Sequence, residues 1–150
     1  QAIARPVKPE PADRTLYLVF RLKQAFFAWP AVNLKEIVLD LPIVALPGCP
    51  ADLHGMVNYK NRVLSVINLH HQLNLASAKP AKSTILLITR GLAVDSAVLV
   101  DGLVSVAPVA KERITSGPIP VEAEIFSMVS GEFHHQGRMV CVLNPDAFSG

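Results

Sequence analysis

The chain has 150 residues, a formal net charge of +2, and a hydrophobic fraction of 51% against a charged fraction of 17%. This length is that of about one domain, and it allows a core that needs no disulfide or metal for its stability. Scattered charges and a 6% aromatic content disfavour a nucleic-acid-binding surface, and no apolar stretch is long enough for a membrane helix.

The first part of the chain predicts a tail followed by strands. Residues 1–14 alternate proline with charged and small residues, which predicts an extended Pro-rich linker. Over residues 16–22 the apolar residues recur with a period of two, which is typical of a strand with one buried face. A second strand over residues 25–29 should end at Pro30, which has no N–H to donate. Residues 32–41 predict a short turn or helix and then another strand.

The middle of the chain predicts a tight hairpin after a proline-rich loop. Two β-rich runs, residues 54–59 and 62–68, flank Lys60 and Asn61. Asn tolerates the positive φ that a two-residue hairpin turn requires. We therefore predict a hairpin that turns at these two residues.

A short helix and a linker are predicted next, and two further hairpins follow them. A short helix over residues 69–73 should begin with Asn68 as its N-cap, since Asn is a good capping residue. Residues 76–83 have the composition of a linker. Gly91 lies between two apolar runs and predicts another hairpin, and the chain should close with a hairpin that turns near residues 135–137.

Two segments of the chain are similar to one another. RVLSVIN at residues 62–68 matches RMVCVLN at residues 138–144, and residues 15–38 faintly echo residues 84–106. The simplest explanation is two copies of one small β-unit, each marginally stable alone. Packing the copies together would bury a shared apolar seam, and this seam is where we expect a partner groove.

The residues that carry catalysis in other proteins are missing or scattered. The sequence has no Gly-x-Ser-x-Gly elbow and no phosphate-binding loop. The histidine pairs His70-His71 and His134-His135 are adjacent, and adjacent side chains on a strand point to opposite faces, so neither pair readily chelates a metal. The two distant cysteines favour buried thiols, with a disulfide as the alternative. We predict no catalytic, cofactor or metal site.

The segment GMVNYKNRVLSVINL at residues 55–69 resembles the signature of CheW-like domains, which reads approximately Gly-Val-Ile-Asn-Leu-Arg-Gly-x-Val-x-Pro-Val-x-Asp-Leu. Weaker similarities in the family's order are FAWP at residues 27–30, VLVDGLV at residues 98–104 and GRMVCVLN at residues 137–144. Together the similarities cover residues 15–148.

The resemblance implies an all-β fold of two five-stranded SH3-like barrels with short helices. The CheW-like domain would then occupy residues 15–150. Its first subdomain would span approximately residues 15–75 and its second approximately residues 83–148, related by the internal repeat.

Members of this family act as cytoplasmic scaffolds in bacteria. They bind the regulatory domain of the histidine kinase CheA and the tips of methyl-accepting chemoreceptors, with no cofactor and no catalysis. The resemblance therefore implies an adaptor of chemoreceptor arrays, with no nucleic-acid partner and no membrane insertion. An adaptor barrel for a different peptide, a nucleic-acid-binding small barrel and a hydrolase are the competing interpretations.

The signature departs from the family pattern in three places. Lys60 and Asn61 replace Arg-Gly, Ser65 replaces Pro, and Asn68 replaces Asp. These changes favour a divergent relative, such as the kinase-binding module of a ParP-like array protein whose upstream region binds a polar-localisation protein. A CheW homologue of a pilus chemosensory system is the alternative.

Seven residues are candidates for partner binding. Trp29 is the sole Trp, a residue type enriched in binding hot spots. The other six come from the strand after Trp29, where we expect an apolar docking face, and from the signature hairpin: Val38, Leu39, Leu41, Tyr59, Lys60 and Asn61.

Overall fold

The computed structural model describes residues 14–75, 83–91, 94–115 and 128–148, and these residues form two five-stranded sheets. The prediction of an all-β fold is therefore confirmed. The strands are β1 (Arg14–Leu22), β2 (Ala25–Pro30), β3 (Leu34–Leu39), β4 (Leu53–Tyr59), β5 (Arg62–Ile67), β6 (Ile85–Thr89), β7 (Ser96–Val100), β8 (Gly102–Ala110), β9 (Val129–His135) and β10 (Arg138–Leu143). The helix α1 (Leu69–Gln72) and 3-10 turns at Ala31–Asn33, Lys111–Arg113 and Pro145–Phe148 complete the fold.

The order of strands is the same in both sheets, which confirms the internal repeat. One sheet runs β8-β1-β2-β10-β9 and the other runs β3-β6-β7-β5-β4. Each has one parallel pair at the matching place, β2 with β10 and β7 with β5. We call the first sheet barrel A and the second barrel B.

The two barrels are not the two contiguous halves that the sequence predicts. The hairpin β1–β2 of the first half completes barrel A, whereas the hairpin β6–β7 of the second half completes barrel B. The predicted boundary between residues 75 and 83 therefore does not separate the sheets. Residues 76–82 of the predicted linker and residues 1–13 of the predicted Pro-rich tail lie outside the described residues, and Arg14, the last residue of that tail, begins β1. The repeats have exchanged hairpins, and periodicity cannot reveal such an exchange because it predicts strands without predicting their partners.

Each sheet closes into a barrel through one isolated bridge. Val44 pairs with Met56 in barrel B, and Thr115 pairs with Glu132 at the equivalent place in barrel A. In barrel B the closure depends on Gly55, which has a φ of +145° and whose added Cβ would overlap the Val44 carbonyl oxygen. A side chain at this position would therefore force the closing segment away.

The apolar residues form three cores. Barrel A is filled around Val19, Phe133 and Val140, and barrel B around Val57, Leu64 and Leu86. A third core, which we call the seam, lies between the sheets and is larger: it comprises Leu18, Phe20, Leu22, Phe27, Trp29, Ile67, Leu69, Leu73, Leu87, Val98, Val100, Leu143 and Phe148. The seam buries the shared apolar face that the repeat predicts.

Strand β1 is buried on both faces, and not on one as its period of two suggests. Leu18 and Phe20 point into the seam, while Tyr17 and Val19 point into barrel A. The side chains of β1 alternate as predicted, but both faces are covered, because the barrel closes over the second one.

The local predictions around the signature are confirmed. Lys60 and Asn61 form the turn between β4 and β5, with φ values of 49° and 63°. Asn68 caps α1, since its side-chain oxygen accepts the His71 N–H at 3.1 Å. Asn144, the counterpart of Asn68 in the repeat, accepts the Asp146 N–H in the same way at 3.1 Å.

Candidate functional surfaces

Trp29 belongs to the core and does not reach the surface. Its side chain is 1% exposed within the seam, and its ring centroid lies 5.8 Å from that of Phe148. Its indole N–H has no hydrogen-bond partner among the described residues. Trp29 is therefore not available for direct contact in this structure, and its predicted part in partner binding is limited to indirect support. The residue can support only the surface above it.

The three predicted residues after Trp29 do not form one docking face. Val38 and Leu41 are partly buried and pack against the core of barrel B. Leu39 points to the other side of β3 and is 62% exposed. Leu41 also lines an open cleft of about 510 Å³ together with His54. The alternation of side chains along β3 separates Val38 from Leu39, whereas Leu41 lies beyond the strand, after Asp40, whose φ is 58°.

The signature hairpin holds barrel B closed. The Tyr59 hydroxyl donates a hydrogen bond to Oε1 of Glu36 in β3, and the Lys60 ammonium lies 3.3 Å from the same oxygen. These contacts, the Tyr59 hydrogen bond first, hold the pKa of Glu36 below its usual value. Asn61 is exposed in the turn. Glu36 is not among the predicted site residues, although it lies within residues 32–41, where a strand is predicted.

In barrel A an equivalent contact is made by different side chains. His135 corresponds to Tyr59 in the repeat, and its Nε2 lies 3.0 Å from the Ser105 hydroxyl of β8. In both barrels, therefore, a residue at the tip of a hairpin, β4–β5 in barrel B and β9–β10 in barrel A, makes a polar contact with the edge strand on the other side of the sheet. This repetition shows that Tyr59 has a structural role, whatever else it contacts.

The outer face of barrel B carries an exposed apolar patch. Met56 and Val63 point outward, since their neighbours Val57 and Leu64 point into the barrel. Val44 joins them through its bridge to Met56. Val63 is 69% exposed and Val44 is 58% exposed. We call Val44, Met56 and Val63 the outer patch.

The same face of barrel A is more polar, although Met139 is 43% exposed there. Thr115 and Glu132 stand where barrel B has Val44 and Met56, and His134 pairs with Met139 where Asn58 pairs with Val63. The two barrels thus share a backbone plan and present different surfaces. The larger apolar patch of barrel B therefore marks a candidate interaction surface.

A second apolar surface lies at the start of β1. Arg14, Thr15, Leu16, Ala31 and Val32 line an open groove of about 410 Å³, which we call the β1 groove. Val32 is 75% exposed there. Pro108 pairs with Leu16 in the register of β1 and β8, and the exposed Val106 follows two residues away on the same face. This face of the sheet continues directly into the seam.

The described residues offer no centre for binding a metal ion. Within residues 14–75, 83–91, 94–115 and 128–148, no three His, Cys, Asp or Glu side chains lie close enough to share a metal ion. Cys49 and Cys141 are free, partly buried thiols, and burial, followed by the charge of Glu132, raises the pKa of the Cys141 thiol. A raised pKa lowers the fraction of reactive thiolate.

Among the described residues there is no helix with the length and apolar character needed to cross a membrane.

The two barrels, which exchange hairpins and present surface patches, define a protein of paired SH3-like barrels. Comparison with known proteins gives the family. The CheW-like domain family matches residues 16–149. The chain therefore belongs to the CheW-like domain family, which is a family of chemotaxis scaffold and coupling proteins.

Curated relatives and a solved structure agree with this assignment. A probable chemotaxis protein CheW of Rhizobium etli is 26% identical over 140 residues, which cover 90% of this chain and 86% of that protein. The chemotaxis protein CheW of Rhizobium meliloti is 24% identical over 132 residues, covering 87% and 84%. The fold matches the crystal structure of the scaffolding protein TtCheW from Thermoanaerobacter tengcongensis with a TM-score of 0.80, at 21% identity, and covers 90% of this chain and 92% of that one.

Proposed function

We propose that this chain is a non-catalytic adaptor of a bacterial chemosensory array. In this proposal it binds the regulatory domain of a CheA-type histidine kinase and the tips of methyl-accepting chemoreceptors, in the cytoplasm, without a cofactor. The observation that carries the proposal is the presence of two separate apolar surfaces, the outer patch and the β1 groove, on a CheW-like fold. A scaffold needs two such surfaces, because it must hold two partners at once.

The outer patch is the proposed kinase surface. It is flat, apolar and built on strands of a closed barrel, so it suits the face of another barrel. Val63 and Val44 lose water on docking without any change in their own barrel, since both already point outward. Lys60 and Asn61 stand next to this surface at the tip of the hairpin, where they are proposed to contact the rim of the interface.

The β1 groove is the proposed receptor surface. Chemoreceptor tips are helical, and an amphipathic helix binds by laying its apolar face into an apolar groove. Leu16 and Val32 provide that surface, and Arg14 at the edge of the groove could pair with an acidic residue of the helix. Trp29 lies beneath, in the seam, and keeps the floor of this region rigid.

Calorimetric titration against a kinase regulatory domain tests the first contact. We expect binding in the micromolar range, as is usual for modest regulatory interfaces. Val63→Glu should abolish the heat signal because it places a charge in an apolar interface. Met139→Glu is the matched control, since Met139 is the counterpart of Val63 in barrel A. Absence of binding by the unmodified chain at about 100 μM would contradict the proposal.

The receptor contact has its own test. A soluble coiled coil that carries a receptor tip should bind the chain, and Val32→Asp should weaken that binding while leaving the kinase titration unchanged. Leu39→Asp is the control, because Leu39 is also an exposed apolar residue, at 62%, and lies outside the β1 groove. Equal effects of Val32→Asp and Leu39→Asp would refute the assignment of the groove.

The remaining partner stays a prediction. A polar-localisation protein would bind through the upstream region, and residues 1–13 lie outside the described residues. A nucleic-acid partner would instead reveal itself by an affinity that falls steeply with salt. Neither the outer patch nor the β1 groove has the basic, aromatic surface that such binding uses.

A further inference from the structure

The two barrels are joined at two places in the described residues. The chain passes from barrel A to barrel B through the turn Ala31–Asn33, and it returns at Asp101, between β7 and β8. The first joint lies beside the start of β1, where Pro30 pairs with Tyr17, and the second lies beside its end, where Gly102 pairs with Arg21. The joints therefore sit at opposite ends of β1.

At the second joint one carboxylate oxygen binds both barrels. Oδ2 of Asp101 accepts the backbone N–H of Lys23 at 2.6 Å, and it lies 2.8 Å from Nε2 of His70. Lys23 belongs to the turn between β1 and β2 of barrel A, whereas His70 lies in α1, directly after β5 of barrel B. We call Arg21, Lys23, His70 and Asp101 the clasp.

Arg21 completes the clasp from the barrel A side. Its guanidinium donates to the carbonyl oxygen of Lys23 at 2.8 Å and to that of Asp101 at 3.1 Å. Lys23 is held with a φ of 56°, in a region that a residue with a side chain rarely adopts. A two-residue hairpin turn requires such a positive φ, and this turn presents its N–H to Asp101.

The His70 side of the clasp is shielded from water, whereas the Asp101 side chain is 29% exposed. His70 is 3% exposed, and His54 of β4 lies close enough to interact with both His70 and Asp101. Burial by itself raises the pKa of Asp101, but the hydrogen bonds from Lys23 and His70 outweigh it and leave the pKa below its usual value. The repeat does not supply a second clasp, because the counterpart of His70 is Asp146, which is exposed.

We propose that Asp101 and His70 are positioning residues that fix the angle between the two barrels, and that this angle sets the shape of the β1 groove. If the clasp opens, the chain at Asp101 and the seam still join the barrels, and the turn Ala31–Asn33 is the joint at the other end of β1 about which their angle can change. Ala31 and Val32 of that turn also line the groove. The outer patch lies wholly within barrel B and contains no residue of the clasp. The part of the inference that concerns receptors rests on the proposed function.

The decisive variant is Asp101→Asn, which keeps the shape of the side chain and removes its charge. We expect the affinity for a receptor-tip coiled coil to fall at least about tenfold, since a hydrogen bond to a charged group is lost. The affinity for the kinase regulatory domain should stay within about twofold. Asp95→Asn is the matched control, because Asp95 pairs with Lys35 and Arg62 inside barrel B alone.

Distances between the barrels provide a readout that general destabilisation would not produce. Spin labels at Glu112→Cys in barrel A and Ala51→Cys in barrel B, with Cys49→Ser and Cys141→Ser, report the angle in the folded chain without any partner. Asp101→Asn should broaden the distance distribution, and Asp95→Asn should not. His70→Gln, which leaves the carboxylate in place, is the second variant if Asp101→Asn fails to fold.

An unchanged distance distribution in both clasp variants would overturn the inference, as would an equal loss of affinity for both partners. The distance measurement needs no ligand, so it decides on the clasp even if the unmodified chain binds neither partner. In that case the proposed function fails and the structural role of the clasp is still tested.

Discussion

Tyr59 and Glu36 join the tip of the signature hairpin to the edge strand β3, and the hydroxyl of Tyr59 donates the hydrogen bond that makes this contact. The matching residues of barrel A, His135 and Ser105, make the corresponding contact. The segment that most resembles the family signature therefore has a structural role of its own, which is to close barrel B.

Tyr59→Phe should loosen this closure without unfolding the chain. The hydroxyl is lost while the ring stays against the core of barrel B, so the expected result is faster hydrogen exchange at the amides of β4 and β5. The exchange of β9 and β10 is the internal control, since barrel A has its own closing contact. Unchanged exchange in the hairpin, or equally faster exchange in both barrels, would contradict this role of Tyr59.

Trp29→Phe should affect stability and not partner binding. Trp29 is buried in the seam, so the smaller ring leaves a cavity and should cost about 1–3 kcal/mol in urea unfolding. The loss of an unpaired buried N–H partly offsets this cost. Val63→Glu should show the reverse behaviour, with unchanged stability and lost binding to the kinase domain. A binding defect in folded Trp29→Phe would mean that Trp29 does take part in recognition.

Gly55→Ala tests the closure of barrel B by its backbone. The new Cβ would overlap the Val44 carbonyl oxygen at a φ of +145°, so we expect a loss of more than about 1 kcal/mol in the free energy of unfolding. Gly48→Ala is the matched control, because Gly48 also has a positive φ, +74°, but has open space around its Cβ. Equal losses from the two substitutions would mean that the positive φ, and not the overlap with Val44, causes the destabilisation.

His54 should make the chain less stable in mild acid. Its burial, and next the proximity of His70, lower its pKa below 6.5, while Asp101 opposes this shift. The unfolded chain therefore takes up a proton at a higher pH than the folded chain, and the free energy of unfolding should decrease as the pH falls from about 6.5. His54→Gln should flatten this dependence in urea unfolding between about pH 5 and pH 7. An identical slope in His54→Gln and in the control His134→Gln would refute the assignment.

Local chemistry was predictable from the sequence, because its causes lie within a few residues. Pro30 ends β2, Asn68 caps α1, and Lys60 with Asn61 makes the turn that the flanking strands require. The similarity of residues 62–68 to residues 138–144 likewise predicted two β-units of one plan. In each case the residue types alone restrict the backbone.

The exchange of hairpins could not be predicted in this way. The parallel partner of β2 is β10, from the other end of the chain, and no turn or periodicity records such a pairing. The outer patch and the β1 groove could not be predicted for the same reason. Residues 62–67 contain apolar residues on both faces, so the sequence does not distinguish the buried Leu64 from the exposed Val63. Val44 joins Val63 on one face only because the barrel closes through Met56.

The most direct test of the scaffold role asks whether both surfaces are used at once. The chain is mixed with a kinase regulatory domain and a receptor-tip coiled coil, and the assemblies are sized by sedimentation velocity. Because the outer patch and the β1 groove share no residue, we predict one ternary species that contains all three proteins. Displacement of one partner by the other, or failure of either to bind at about 100 μM, would contradict the proposal that this paired barrel is an adaptor.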